Sequence, residues 1–320
     1  MGPDGRCFGL AQALISRNIC LVRSPIRHSL AHDAFLKRTI ADMQITPVDG
    51  KSRVRFQSLA SGSSGNAYLL QVDDAALLID CGIGYRQIRA ALHSWGLAER
   101  ALALVLISHE HTDHVRALET LVRHRVQVAA TQGTATALGI SAGEHLRLRH
   151  LESISVAGCE ITPLPISHDA REPNGLLITT NRVTIGIMTD LGEVTEELTG
   201  HAACCDLIVL ESNHDRLMLR DGPYPSHLKR RVASKHGHLS NDQAADVLQE
   251  VVRPDSRPSE IWLGHLSATN NTPALALSCA RDRLRRVGID LPIAVLPRGH
   301  AGPVWAGAKP RVRQLQLLAD

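Results

Sequence analysis

The chain has 320 residues, 44% of them hydrophobic and 21% charged, with a formal net charge of +3. That balance supports a full apolar core and excludes a disordered or collagenous chain, while so small a positive charge does not by itself require a nucleic-acid partner. Aromatic residues make up only 3%, so Val, Ile, Leu and Ala must fill the core, and a platform of stacked rings for single strands is disfavoured.

The cysteines, Cys7, Cys20, Cys81, Cys159, Cys204, Cys205 and Cys279, are odd in number and include no Cys-x-x-Cys pair. Reduced thiols in a cytoplasmic protein fit this better than a disulfide framework or a thiolate zinc site. No apolar stretch reaches membrane-spanning length, so no membrane partner is expected. Residues 1–50 hold no confident strand or motif. Cys7–Ile15 is apolar but interrupted by Gln12, and Asp4, Asp33 and Asp42 oppose an organellar presequence. These residues are expected to be an extension outside one catalytic fold spanning residues 51–320.

From Val54 the pattern becomes regular. Val54–Leu59 and Ala67–Val72 read as strands joined by the Gly/Ser loop Ser61–Asn66, and Ala75–Ile79 as a third strand ending at Asp80. Tyr85–Trp95 has helical spacing through Ile88, Leu92 and Trp95. Leu102–Ile107 is a buried strand that leads into His109-Glu110-His111-Thr112-Asp113-His114, ahead of a helix over Val115–Arg123. Further strands are expected at Val126–Ala130, Glu160–Ile166, Gly175–Thr179, Val183–Met188, Leu207–Leu210, Ile261–Leu263 and Ile293–Leu296. Ser240-Asn241-Asp242-Gln243 is a capping-box pattern before a helix over Ala244–Val252, and Thr272-Pro273 caps one over Ala274–Arg286. No internal repeat is visible. This order suits an α/β fold of two packed sheets with helices on both outer faces.

Three imidazoles and a carboxylate within six residues, directly after a buried strand, are hard to explain as packing. His109 and His111 lie two apart, so an extended backbone can aim both at one ion. Asp113 and His114 sit where the chain turns into a helix and can address a second.

The His-x-His-x-Asp-His run after an apolar strand, preceded by a strand ending in Asp80-Cys81-Gly82, resembles the metallo-β-lactamase superfamily. The resemblance implies an αββα four-layer sandwich and further ligands at strand ends. The matching positions are His168 in Ser167-His168-Asp169, Asp190 in Met188-Thr189-Asp190 and His265 in Gly264-His265-Leu266-Ser267. By that carry-over one ion takes His109, His111 and His168, the other takes Asp113, His114 and His265, and Asp190 bridges them. Asp80 orients its neighbours rather than ligating. Imidazole and carboxylate donors without thiolate suit two divalent ions, Zn²⁺ or Mn²⁺, with Fe²⁺ as a further choice. Two such ions, roughly 3.5–4 Å apart, would share a bridging hydroxide as nucleophile.

The metal site alone names no substrate. Ser58–Asn66, Glu211-Ser212-Asn213-His214-Asp215, Gly237-His238-Leu239-Ser240-Asn241 and His265–Asn271 resemble the YycJ/WalJ-like subfamily, which is related to ribonuclease Z and cyclic phosphodiesterases. The resemblance implies phosphodiester hydrolysis, with exonuclease action on DNA, rather than RNA, as the leading expectation. The alternative is a hydrolase of small cyclic phosphodiesters or other esters. His238, with Glu211 as its partner at another strand end, is the candidate for contacting the scissile phosphate or protonating the leaving oxygen; Asp113 and His214 compete for that role. Lys229 and Arg230, followed by Arg231 and Lys235, offer charge to a phosphate backbone. They equally fit a solvated helix face. The loop carrying Ser63 and Asn66 could present its N–H groups to a phosphate, or simply connect two strands.

Overall fold

The computed structural model describes residues 53–253, 256–307 and 313–314; the extension expected over residues 1–50 lies outside them. One sheet is made of β1 (Val54–Ala60), β2 (Ala67–Val72), β3 (Ala75–Ile79), β4 (Leu102–Leu106), β5 (Gln127–Thr131) and β6 (Leu146–Leu148). The other holds β7 (Ile154–Val156), β8 (Cys159–Pro165), β9 (Asn174–Thr179), β10 (Thr184–Met188), β11 (Leu207–Glu211) and β12 (Glu260–Gly264). β13 (Ile289–Asp290) pairs with β16 (Arg313–Gln314), while β14 (Ile293–Val295) and β15 (Val304–Trp305) complete the two sheets. Their orders are β15-β1-β2-β3-β4-β5-β6 and β14-β12-β11-β10-β9-β8-β7.

Both sheets follow one plan. Antiparallel pairing runs from β15 to β3 and from β7 to β10. Parallel pairing then runs from β3 to β6 and from β10 through β11 and β12 to β14. Parallel neighbours need crossovers. These are supplied by α1 (Tyr85–Ser94), α2 (Thr112–Val115), α3 (Leu118–Arg123) and α4 (Gln132–Ala137) in the first sheet. In the second they are α5 (Glu196–Ala203), α6 (Arg216–Asp221), α7 (Ser226–Val232), α8 (Asn241–Val251) and α9 (Pro273–Arg286). The carboxyl ends of β3 and β4, and of β10, β11 and β12, therefore point the same way within each sheet, where open α/β sheets place ligands.

Side-chain alternation builds four layers. Tyr68 and Leu70 on β2, Leu77 and Ile79 on β3, and Leu207 and Val209 on β11 face the apolar layer between the sheets. Leu69 and Leu78 point outward onto Ile88 and Leu92 of α1, and Ile208 and Leu210 outward onto Leu248 of α8 and Ala280 of α9. Both faces of each sheet are covered, so these strands read as continuous apolar runs. The chain forms an αββα sandwich. At its centre the Phe56 ring stacks between Tyr68 at 5.8 Å and Trp262 at 5.5 Å.

One expected element is corrected. The helix over Val115–Arg123 is divided into α2 and α3, because the backbone turns between them so that Ala117 N can donate to Cys81 O at 2.8 Å. The short elements β6, β7 and α4–α7 carry too few residues to show a period. The two expected caps are present: Ser240 and Gln243 form a reciprocal box, and Thr272 Oγ1 accepts from Leu275 N. Among the described residues no helix is long and apolar enough to cross a membrane.

Candidate metal centre

The centre is built on strand ends. Asp80 follows β3, Asp190 lies just past β10 and His265 follows β12, and all three take positive φ, 55°, 60° and 54°. Non-glycine residues rarely adopt this conformation, and it persists where surrounding contacts enforce it. Each sharp turn swings a side chain off its strand toward the same edge. The segment after β4 is held there by backbone bonds: Cys81 N donates to His114 O at 2.7 Å and Asn66 N to Asp113 O at 2.7 Å.

Gly82 makes that close approach achievable. A Cβ there would stand 1.6 Å from Asp113 O and 2.8 Å from Asn66 N, both backbone atoms that cannot swing away. Gly82→Ala should therefore destabilise the fold by about 3 kcal/mol or more, at the upper end of overpacking costs. Gly200→Ala in α5, where a Cβ meets nothing within 4 Å, should be neutral or stabilising, as expected for a helix position. Denaturant midpoints of the two variants check the contrast.

Two groups of donors converge. Ligand atoms of His109, His111 and His168 lie within 4.8 Å of one another, as do those of Asp113, His114 and His265. Asp190 lies between them: Oδ2 is 3.4 Å from His114 Nε2, and Oδ1 is 3.7 Å from His168 Nε2 and 3.4 Å from His265 Nδ1. The structure thus brings together the seven residues expected as ligands, in the two expected sets.

The rings share an orientation. His114 Nδ1 donates to Asp80 Oδ2 at 2.8 Å, His265 Nδ1 to Glu211 Oε1 at 2.7 Å, and His168 Nδ1 to the Gly237 carbonyl at 3.3 Å. Ser108 Oγ donates to Asp80 Oδ2 at 2.9 Å, which leaves it to accept from His109 Nδ1 at 3.0 Å. Each ring so held turns Nε2 inward, as in sites where an outer acceptor fixes the tautomer of a metal-binding imidazole. His111 instead turns Nδ1 inward, 3.1 Å from His109 Nε2.

Two inward atoms are buried with no hydrogen-bond partner among the described residues, His265 Nε2 and Asp190 Oδ2. Orphaned polar atoms of this kind are costly, and a cation held by both groups would satisfy them. The donor set fits divalent metal ions.

Glu211, Asp190, His238 and His265 also cluster within 4.8 Å, but Glu211 has no lone pair to spare. Its Oε1 accepts from His238 at 2.9 Å and His265 at 2.7 Å, and its Oε2 accepts from Leu191 N at 2.7 Å and Leu239 N at 3.1 Å. A carboxylate offers about four acceptor sites. Fully buried and fully used, Glu211 positions two imidazoles and does not itself reach a substrate.

Electrostatics follow from this packing. Burial drives His109 well below the ordinary imidazole range, reinforced by the His114, His168 and His111 rings. Burial also opposes a charge on His114, but the Asp80, Asp190 and Asp113 carboxylates outweigh it and push the ring up to about 9. His265 is raised well above its usual range in the same way, with Asp190, Asp113 and Glu211 overriding burial. Asp113, Asp190 and Glu211 are all held below the carboxylate range despite burial, because imidazoles surround them.

His238 differs from the other rings. Its side chain is 21% exposed, against 0% for His114 and 2% for His168 and His265. Its ring centroid stands 5.2 Å from that of His168 and 5.1 Å from that of His265, so it spans both donor groups. With Nδ1 on Glu211, its Nε2 is left to face outward. His214 is buried, and burial depresses it to about 4.

The remaining candidates separate. Ser63 is exposed on its loop. Asn66 has no exposed surface: Oδ1 accepts from Gly62 N at 2.8 Å, and Nδ2 sits 3.3 Å from Asp113 Oδ2 and 3.0 Å from His114 Nε2. It braces the loop against the donor group instead of offering itself to a substrate. Lys229 Nζ is engaged by the Arg220 carbonyl at 2.6 Å, whereas Arg230 is exposed with no ion pair among the described residues. Ser108, the Gly237 carbonyl and the bond between Glu211 and His265 are not anticipated from sequence. Only Ser108, beside His109, had any local signal.

Comparisons with known proteins agree with this fold. A model of the beta-lactamase superfamily domain matches residues 76–263. The chain is 32% identical over 241 residues to the exodeoxyribonuclease YycJ of Bacillus anthracis, covering 73% of this chain and 90% of that one. It is 30% identical over 251 residues to the exodeoxyribonuclease WalJ of Streptococcus pneumoniae, covering 75% and 93%. Among solved structures, the metallo-β-lactamase fold protein YhfI of Bacillus subtilis superposes with a TM-score of 0.60 at 17% identity, covering 80% of this chain and 99% of that one.

Proposed function

Since this chain belongs to the metallo-β-lactamase superfamily and is a metal-dependent hydrolase of its YycJ/WalJ-like branch, we propose that it is a dinuclear phosphodiesterase acting as an exonuclease on DNA. The observation that supports the chemistry is Asp190, whose two oxygens face two separate donor groups. The substrate class is inferred from the two relatives named exodeoxyribonucleases. His109, His111 and His168 would hold one ion, Asp113, His114 and His265 the other, and Asp190 both. Zn²⁺, Mn²⁺ and Fe²⁺ all suit these donors, and donor type alone does not choose among them. Divalent ions in such a site supply acidified water and neutralise charge on phosphate oxygens.

The chain's own residues do the rest. Asp80 and Glu211 fix the rings of His114 and His265, so the donors are aligned before a substrate arrives. His238, oriented by Glu211 and partly open to solvent, holds a proton on Nε2 for the leaving 3′ or 5′ oxygen.

A polarity-labelled oligodeoxynucleotide tests the reading. With Zn²⁺ or Mn²⁺ the protein should release mononucleotides from one end, and a chelator should abolish the release. Hydrolysis of bis-nitrophenyl phosphate without digestion of any oligonucleotide would replace it with a small-molecule hydrolase.

Metal loading carries its own pH signature. In protein stripped by a chelator, His114 with its raised value of about 9 is protonated at pH 7. A metal must displace that proton. Loading at pH 7 should release protons, measurable by calorimetry in buffers of different ionisation enthalpy. The His114 share should fade as the pH passes about 9, and metal affinity should fall as the pH is lowered.

A further inference from the structure

The loop between β1 and β2 hangs directly on one donor group. Gly62 N is bonded to Asn66 Oδ1, Asn66 Nδ2 touches Asp113 and His114, and Ser61 Oγ accepts from His265 N at 2.9 Å. Its tip exposes Ser63 and Ser64.

Two arginines bracket this tip. On one side Arg116, exposed and two residues past His114, donates from Nη2 to Ser64 O at 2.8 Å. On the other, the Arg298 stem lies on Gly62 so closely that a Cβ there would stand 2.9 Å from Arg298 Cγ. Arg298 Nη1 donates to Ser267 O at 2.9 Å, two residues past His265.

Several other cations near the centre are neutralised by carboxylates. Arg231 is paired with Asp169, Lys235 with Glu193 and Arg216 with Asp242. Among the described residues neither Arg116 nor Arg298 has a carboxylate within ion-pair distance. Each has committed one hydrogen bond to a carbonyl, and a guanidinium has five N–H donors in a fork that matches phosphate oxygens.

We infer that Arg116 and Arg298, with the Ser63 and Ser64 hydroxyls between them, form a subsite for a non-scissile phosphate of the nucleic-acid strand beside the Asp113/His114/His265 group. This rests on the nucleic-acid reading of the centre. The subsite places grip next to the donors, whereas Arg231 on α7 and the nearby Lys235 are neutralised by Asp169 and Glu193. It assigns the strand a path over the β1–β2 loop.

The test uses the metal-loaded protein and a fluorescent phosphorothioate oligodeoxynucleotide, which resists cleavage, with anisotropy read across a salt series. Arg116→Gln and Arg298→Met remove charge, and the methionine retains an apolar stem over Gly62. Each substitution should weaken binding about tenfold or more, the worth of a charged hydrogen bond. Each should also lower the logarithmic salt slope by about 0.7, the value for one single-strand phosphate contact. Digestion of an ordinary oligonucleotide should suffer in KM more than in kcat. Arg286→Ala, which removes the same charge from the far end of α9, should keep wild-type affinity and slope.

Wild-type affinity and slope in the Arg116→Gln/Arg298→Met double variant would overturn the subsite and leave the nuclease reading standing. Equal losses in Arg286→Ala would overturn it too, by reducing the effect to bulk charge. If the wild-type protein hydrolyses bis-nitrophenyl phosphate yet neither binds nor digests the oligonucleotide, the nuclease reading fails first and the subsite with it.

Discussion

Asp190→Ala should lose metal from both donor groups at once and reduce hydrolysis by more than the 10²–10⁴-fold that one positioned acid–base group supplies. The carboxylate is 4% exposed and lies within 3.4–3.7 Å of His114, His168 and His265. Its removal leaves buried imidazoles without their central counter-charge, and uncompensated charge of this kind is expensive. The expected readout is a metal content below two per chain by elemental analysis, with no recovery in excess Zn²⁺ or Mn²⁺. A variant that retains full metal and full turnover would assign the bridge to another carboxylate, and among the described residues Asp113 would be the next to examine. Asp190→Asn is the informative companion. It preserves shape and one acceptor while removing the charge, so metal loss there isolates electrostatics from packing.

The second large effect separates His238 from Glu211. His238→Ala should retain both metals and lose about 10²–10⁴-fold in turnover, because the ring belongs to neither donor set and its Nδ1 is bonded to Glu211. Glu211→Gln should do something different. Glu211 holds His265 at 2.7 Å as well as His238 at 2.9 Å, and accepts two backbone N–H groups besides. A glutamine cannot accept with its amide nitrogen, so one side of that four-bond arrangement must break. Metal affinity should fall about 10–100-fold, the usual cost of losing an outer partner of a metal-binding imidazole, and turnover should fall with it. The pair therefore has distinct signatures: metal retained with chemistry lost in one, metal and chemistry weakened together in the other. An unchanged rate in His238→Ala would show that the leaving oxygen does not take its proton from this ring, and neither Asp113, held below the carboxylate range, nor the buried, depressed His214 replaces it. Full metal affinity in Glu211→Gln would show that His265 does not need its carboxylate partner.

Much of this centre was legible along the chain because its parts are local. His109, His111, Asp113 and His114 lie within six residues, and the strand before them is a plain apolar run. β2 and β3 match the expected bounds, and β10 and β12 match to within a residue at each end. The reason is that strands covered on both faces are continuous in hydrophobicity and stop where a polar residue turns out of the sheet. Asp80, Asp190 and His265 stand at those stops, and the family resemblance, together with those strand-end positions, supplied their expected roles. The architectural repeat was not visible in this way, since pairing direction and strand order leave no mark on a single strand's composition.

What only the tertiary structure decided is the sharing of one carboxylate. Glu211 serves His238, its expected partner, across a separation of 27 residues and also His265 across 54. No periodicity encodes that choice; it arises because β11 and β12 are neighbours and their carboxyl ends open on the same side. Charge behaves likewise. Lys229, Arg230, Arg231 and Lys235 form a conspicuous basic run in sequence, yet Arg231 and Lys235 are neutralised by Asp169 and Glu193, which leaves the exposed Arg230 and Lys229, bonded to the Arg220 carbonyl. Arg116 and Arg298 are isolated in sequence, and folding sets both against one serine loop beside the donors. Asn66 shows the same limit, since a polar residue in a Gly/Ser loop reads as exposed until the fold buries it against Asp113 and His114. Sequence determines which segments must be buried and which residues can bind a cation; the meeting of loops at a shared sheet edge determines which charges remain free to act.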